Sequence, residues 1–190
     1  MIDKSAVLTE VCNALAFGDR ETAIRIARQS YPFQPATNAG RKYTEYQMTV
    51  IFMRDSFTDR YSGHRLVFPG ALRLLSRLLP EEFPAHPNWK MSESHIVYWE
   101  LFPTIDHIYP VAQGGKDEES NWVTTSMLRN SAKSNWTLDE LGWNLVDPPQ
   151  GCDWDGLMSW FVVYVSREAR YLDDAYLRRW YKAAIKATTN

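Results

Sequence analysis

The segment from Ile105 to Lys133 constrains this chain more than any other stretch. It reads Ile-Asp-His-Ile-Tyr-Pro, then Gly114-Gly115, then Asn121-Trp122-Val123-Thr124-Thr125, then Ser126, then Arg129-Asn130-Ser131-Ala132-Lys133. Residues 104–110 predict one strand, and the β-branched and aromatic run 122–125 predicts its return. The paired glycines and the acidic run 117–119 predict a wide loop between them. Ser126 is a good N-cap, which starts a helix running to about Asn135. On a strand, neighbours Asp106 and His107 point to opposite sides. On the helix, Lys133 lies three residues beyond Asn130, so the two share a face.

The rest of the sequence bounds the setting. A length of 190 residues fits one large domain, or one domain with appended helices. Hydrophobic content of 45% and charged content of 23% are those of an ordinary globular protein. No run approaches the ~18 apolar residues of a spanning helix. The start, Met1-Ile2-Asp3-Lys4, leads into an amphipathic stretch and not a secretory leader. Cys12 and Cys152 are far apart and form no Cys-x-x-Cys, so a cytoplasmic, disulfide-free protein is expected. The net charge of −2 argues against avid, non-specific nucleic-acid binding. Segment 91–147 holds nine acidic and three basic residues, a balance that suits a divalent cation better than a bare phosphate.

The pattern predicts a helical hairpin first. Ser5 caps a helix over 5–17, and Asp19 caps a second over 20–30. A loop follows over 34–45. Residues 46–52 form an apolar run that is either strand or buried helix. Pro69-Gly70 opens a helix to Leu79, with Leu72, Leu75, Leu78 and Leu79 inward. Residues 94–100 are helix or strand. Thr137-Leu138-Asp139-Glu140 is a capping box. Asp173 or Asp174 starts a last helix to Ala187, and Trp154, Trp160 and Phe161 are expected in the core. Basic residues Arg178, Arg179, Lys182 and Lys186 recur along that helix, as a solvated face or a phosphate track.

The order and spacing of Asp106-His107-Ile108-x-Pro110, Gly114-Gly115, Asn121 and Asn130-x-x-Lys133 resemble the HNH nuclease motif. The resemblance covers roughly 54–143. Upstream, Arg54-Asp55-Ser56-Phe57-Thr58-Asp59-Arg60-Tyr61-Ser62-Gly63 is similar to the segment of HNH proteins that binds a structural zinc through cysteines. Asp59 and Ser62 stand at the cysteine positions, and the second cysteine pair is missing as well. No structural zinc is therefore expected, and packing by aromatic residues is expected to replace it.

The resemblance implies an α+β fold, with a ββα-metal unit embedded in a mainly helical domain. It implies a helical hairpin over 1–45, a nuclease core over 46–147 with the motif at 104–135, and a C-terminal helical extension over 148–190. It implies a metal-dependent endonuclease acting on DNA phosphodiester bonds. His107 would be the general base and Asn121 would orient it. Asp106 and Asn130 would hold Mg²⁺, with Mn²⁺ or Ni²⁺ able to substitute in vitro. Lys133 and Arg129 would contact substrate phosphate. RNA as substrate, nicking directed by a regulatory or targeting protein, a homodimer, and a non-catalytic DNA-binding module all remain open. No membrane association is expected.

Overall fold

The computed structural model describes residues 3–33, 42–151 and 153–189. Contacts divide the chain into two compact units, 1–40 and 41–190. The first unit contains α1 (Lys4–Ala16) and α2 (Arg20–Ser30). Asp3, not Ser5, caps α1: its carboxylate accepts the Ser5 backbone N–H at 2.9 Å. An anionic cap also matches the positive end of the helix dipole. Asp19 caps α2 through the Thr22 N–H at 3.0 Å. Most of the expected 34–45 loop lies outside the described residues.

The second unit is mainly helical with one small antiparallel sheet. The apolar run 46–52 belongs to helix α3 (Glu45–Arg54), fixed by a capping box between Thr44 and Gln47. The chain then reverses through Ser56 and Phe57, both at positive φ (51° and 47°). That conformation is strained for a phenylalanine. The Phe57 ring holds it there, buried between Phe52 and Phe68. A short tongue follows, closed by a bridge between Thr58 and Arg65.

Helix α4 (Pro69–Leu78) starts with proline at a position that lacks a backbone hydrogen-bond partner in any case. Leu72 and Leu74 are buried, whereas Leu79, expected inward, is exposed as the cap residue. Residues 94–100 contain the single-turn helix α5 (Val97–Glu100). Strands β1 (Pro103–His107) and β2 (Trp122–Ser126) pair with Asp106 opposite Val123 and His107 opposite Trp122. Ser126 ends β2 and caps α6 (Met127–Lys133) in the same step, accepting the Arg129 N–H at 3.2 Å. Then come α7 (Leu138–Leu141), α8 (Met158–Arg167) and α9 (Ala175–Thr189). Helix α8 is not expected from the sequence pattern.

Helices α3, α4, α8 and α9 enclose the core around Phe52, Phe57, Phe68, Phe161 and Trp180. Phe68 sits at its centre, 5.4 Å from Phe161 and 5.3 Å from Trp180 between ring centroids. Phe161 is buried as expected, but Trp160 is exposed on the outer side of α8. The basic residues of α9 are largely engaged. Arg179 pairs with Glu45, Arg178 donates to the Leu172 carbonyl, and the Lys186 ammonium lies over the Tyr46 ring. Among the described residues, no helix is long and apolar enough to cross a membrane.

Buried carboxylates fasten the two-stranded sheet to the tongue. Asp55 accepts the Thr124 N–H at 2.8 Å and pairs with Arg54 and Arg60. Asp59 accepts from Tyr61 N, Thr125 Oγ1 and Ser126 N, and Arg129 Nε approaches it to 3.4 Å. Tyr61 packs on Trp143 beside this site, with ring centroids 5.8 Å apart. At position 59 a hydrogen-bonded carboxylate ties the tongue to β2 and α6.

Candidate functional site

Alternation along β1 separates its last two side chains. Asp106 is buried between the tongue and α6. Tyr61 donates its hydroxyl to Asp106 Oδ2 at 2.7 Å, and Lys133 Nζ lies 3.0 Å from the same oxygen. Burial, reinforced by the charge of Asp106, pushes the Tyr61 phenol up, so it stays a neutral donor. Among the described residues no hydrogen bond reaches Asp106 Oδ1.

Lys133 is fully buried. Its ammonium also donates to the His107 carbonyl at 2.8 Å and lies 5.8 Å from the Tyr61 ring centre. The expectation that Lys133 contacts substrate phosphate is corrected. Its short helix packs on both strands and turns that face inward, so Lys133 neutralises Asp106 and pins the end of β1. Arg129 is corrected likewise. It pairs with Asp59, stacks 5.3 Å from the Trp143 ring centre, and is absent from the cleft lining.

His107 turns the other way, into a polar cluster. Its Nε2 lies 2.8 Å from Asp117 Oδ1, 3.2 Å from Trp122 Nε1 and 3.5 Å from the Tyr43 hydroxyl. Tyr43 and Trp122 also donate to Asp117 Oδ1, at 2.7 and 2.9 Å. Burial works to raise the Asp117 pKa, but the hydrogen bonds from Tyr43, His107 and Trp122 outweigh it and hold the carboxyl below the ordinary aspartate value. A carboxylate has no proton to give. The Trp122 indole N–H also points at Nε2, so Asp117 and Trp122 together hold the ring in place.

Asn121 does not reach the imidazole. Its amide accepts the Tyr109 N–H and donates to the Tyr109 and Lys116 carbonyls, each at 2.8–2.9 Å. Direct orientation of the ring by Asn121 is corrected to an indirect one. The amide fixes the backbone two residues beyond His107 and closes the loop that carries Asp117. Gly115 completes that loop: a Cβ there would collide with the Tyr109 carbonyl.

Asn130 enters from α6. Its Nδ2 donates to Thr104 Oγ1 at 3.0 Å and the Ile105 carbonyl at 3.3 Å. That assignment leaves Oδ1 as the amide atom without a hydrogen bond among the described residues. Asp106, His107 and Asn130 all line one cleft of about 320 Å³, together with Tyr43, Ile105 and Asn135. Among the described residues, no three His, Cys, Asp or Glu side chains form a group that could hold a metal. A cation in the cleft would rest on Asp106 Oδ1 and Asn130 Oδ1, with water filling the other positions. An oxygen-only, incomplete shell of that kind fits Mg²⁺.

Sequence reasoning missed Asp117, Tyr43 and Trp122 as members of this cluster, and Tyr61 as the partner of Asp106. Asp117 stood in an acidic run two residues after the glycines, and Tyr61 in the upstream HNH-like segment. Comparison of the chain with family models, curated proteins and solved structures finds no match.

Proposed function

We propose that this protein is a metal-dependent endonuclease of the HNH type, hydrolysing DNA phosphodiester bonds in the cleft at the end of β1. One observation supports the reading most: Asp106, His107 and Asn130 face a single cleft, and a carboxylate backs the histidine. His107 takes a proton from water while Asp117 holds the ring. Asp117 stabilises the imidazolium that forms, as a carboxylate does beside a catalytic histidine. The water oxygen bonds to phosphorus and the 3′ oxygen departs, leaving 5′-phosphate and 3′-hydroxyl ends. Asp106 and Asn130 would hold Mg²⁺, which when bound neutralises phosphate charge and assists the departing oxygen. Lys133 lowers the net negative charge that Asp106 would offer a cation.

The test is nicking of supercoiled plasmid in Mg²⁺, Mn²⁺ and chelator, with single-stranded RNA in parallel. Cutting by the intact protein that chelator and His107→Ala both abolish, with folding retained, supports the proposal. Absence of cutting under every divalent ion, with tight DNA binding, favours a non-catalytic module. A second reading is favoured by the inward turn of Lys133 and the pairing of Arg129. Neither cation is left to grip a phosphate, so a targeting protein supplies the affinity and this chain supplies the cut.

A further inference from the structure

A second cavity, of about 160 Å³, opens beside Phe102, the residue just before β1. Its walls are aromatic: Trp89, Tyr98, Phe102 and Tyr176. Trp89 stands edge-on to Tyr98, Trp99 and Phe102, with centroids 5.2–6.4 Å away. It keeps 44% of its surface exposed and holds a left-handed backbone, φ 54°. A large aromatic held in that strained, half-exposed position is a mark of a ligand site. Arg73 closes the cavity floor, its guanidinium 5.9 Å from the Tyr176 ring centre. Burial pushes the Tyr176 phenol up to about 12, so it stays neutral beside this cation.

Arg73 is the cation of this cavity. Among the described residues it has no ion-pair partner, and its buried Nε has no hydrogen-bond acceptor. The Arg73 side chain lines both this cavity and the groove next to it. The adjoining polar groove, of about 520 Å³, shares Arg73 and His86 with the cavity and adds Arg77 and Ser76. The other charges there are already matched: Arg77 pairs with Asp174 at 2.7 Å, and His86 lies 3.6 Å from Glu93.

We infer that this composite pocket binds a nucleoside phosphate, with the base among Trp89, Tyr98 and Phe102 and the phosphate on Arg73. The size admits one flat six-membered ring, since an apolar cavity of about 150 Å³ takes up benzene. Flat aromatic walls reward a flat ring. The guanidinium disfavours a cationic guest and matches phosphate oxygens. This site is separate from the His107 cleft and independent of the nuclease reading: the two lie at opposite ends of β1.

A nucleotide could come free or as one residue of a strand, and calorimetry on the full chain distinguishes these. The probes are the four nucleoside 5′-monophosphates, adenosine, ribose 5-phosphate, inorganic phosphate and a short single-stranded oligonucleotide. At least one mononucleotide or the oligonucleotide saturates the protein, and adenosine and ribose 5-phosphate bind more weakly. Comparable affinity for mononucleotide and oligonucleotide identifies a free nucleotide as the guest; a large preference for the oligonucleotide identifies a strand. Trp89→Ala, at an exposed position, weakens binding roughly tenfold, the scale of one lost base stack. Arg73→Gln does the same through the phosphate, and Arg73→Lys falls between. No saturation by any nucleotide or by the oligonucleotide overturns the inference. Binding unchanged in Trp89→Ala and Arg73→Gln, or inorganic phosphate as good as nucleotide, overturns it equally.

Discussion

At the scale of single residues, Lys133 and Asp117 do the most to define the cleft. Lys133 is a buried charge matched by one carboxylate and one carbonyl. Replacing it by Met leaves Asp106 buried without a counter-charge, which costs about 3–5 kcal/mol in a buried pair. Urea unfolding of Lys133→Met measures this, and a loss under ~1 kcal/mol would contradict a buried structural lysine. Asp117 is different, because its side chain is 40% exposed and carries little of the fold. Asp117→Asn keeps the shape but removes the charge that stabilises a protonated ring. Nicking falls roughly a hundredfold, at the low end of general-base effects, with only a small fall in melting temperature near neutral pH. Its folded pKa lies below the unfolded value of 3.8. The stability it contributes is therefore whole above that value and lost as pH falls through the lower folded one. The stability gap between the native chain and Asp117→Asn narrows on acidification, a trend that unfolding midpoints at pH 5 and about pH 3 would reveal.

At the scale of elements, the tongue, the sheet and α6 form one fastened assembly with Asp59 as its knot. Its carboxylate holds two strand residues, the second of which (Ser126) also caps α6, and the tongue's own backbone. Asp59→Ala orphans several buried donors at once and destabilises the protein by about 3 kcal/mol or more. Asp59→Asn, which keeps one acceptor oxygen, costs less, and equilibrium unfolding ranks the two. Much of this assembly was legible. The hairpin and its helix announced themselves through β-branched residues, paired glycines and the Ser126 cap, and Asp106, His107 and Asn130 do share a cleft. The fastening was not legible, because Tyr61–Asp106 and Asp59–Thr125 join residues 45 and 66 apart in sequence. Helix α8 hid for another reason. Its sequence, Met-Ser-Trp-Phe-Val-Val-Tyr-Val-Ser-Arg, is rich in strand-forming residues and lacks a side-chain cap. Burial of Met158, Phe161 and Val165 at helical spacing overrides that local preference.

At the scale of the whole molecule, charge decides how the cleft meets a polyanion. The chain carries a net −2, and its motif region is the acidic part. Several of the basic residues that a sequence would enlist for phosphate already have partners within the protein. Lys133 is buried, Arg129 faces Asp59, and Arg179 and Arg178 are held by Glu45 and the Leu172 carbonyl. Affinity for duplex DNA rests largely on the phosphates a protein neutralises, each adding about −0.9 to the slope of log K against log salt. A net negative chain with an acidic motif region draws a polyanion poorly, so this chain alone binds duplex DNA weakly, with a slope shallower than about −3. Fluorescence anisotropy across a salt series measures that slope. A steep value, near that of a protein with six or more phosphate contacts, would mean that α9 releases its internal partners and tracks the backbone. A shallow value leaves target choice to a partner or to the Arg73 pocket. In that case Arg73→Gln lowers affinity for single strands while leaving the weak duplex binding unchanged.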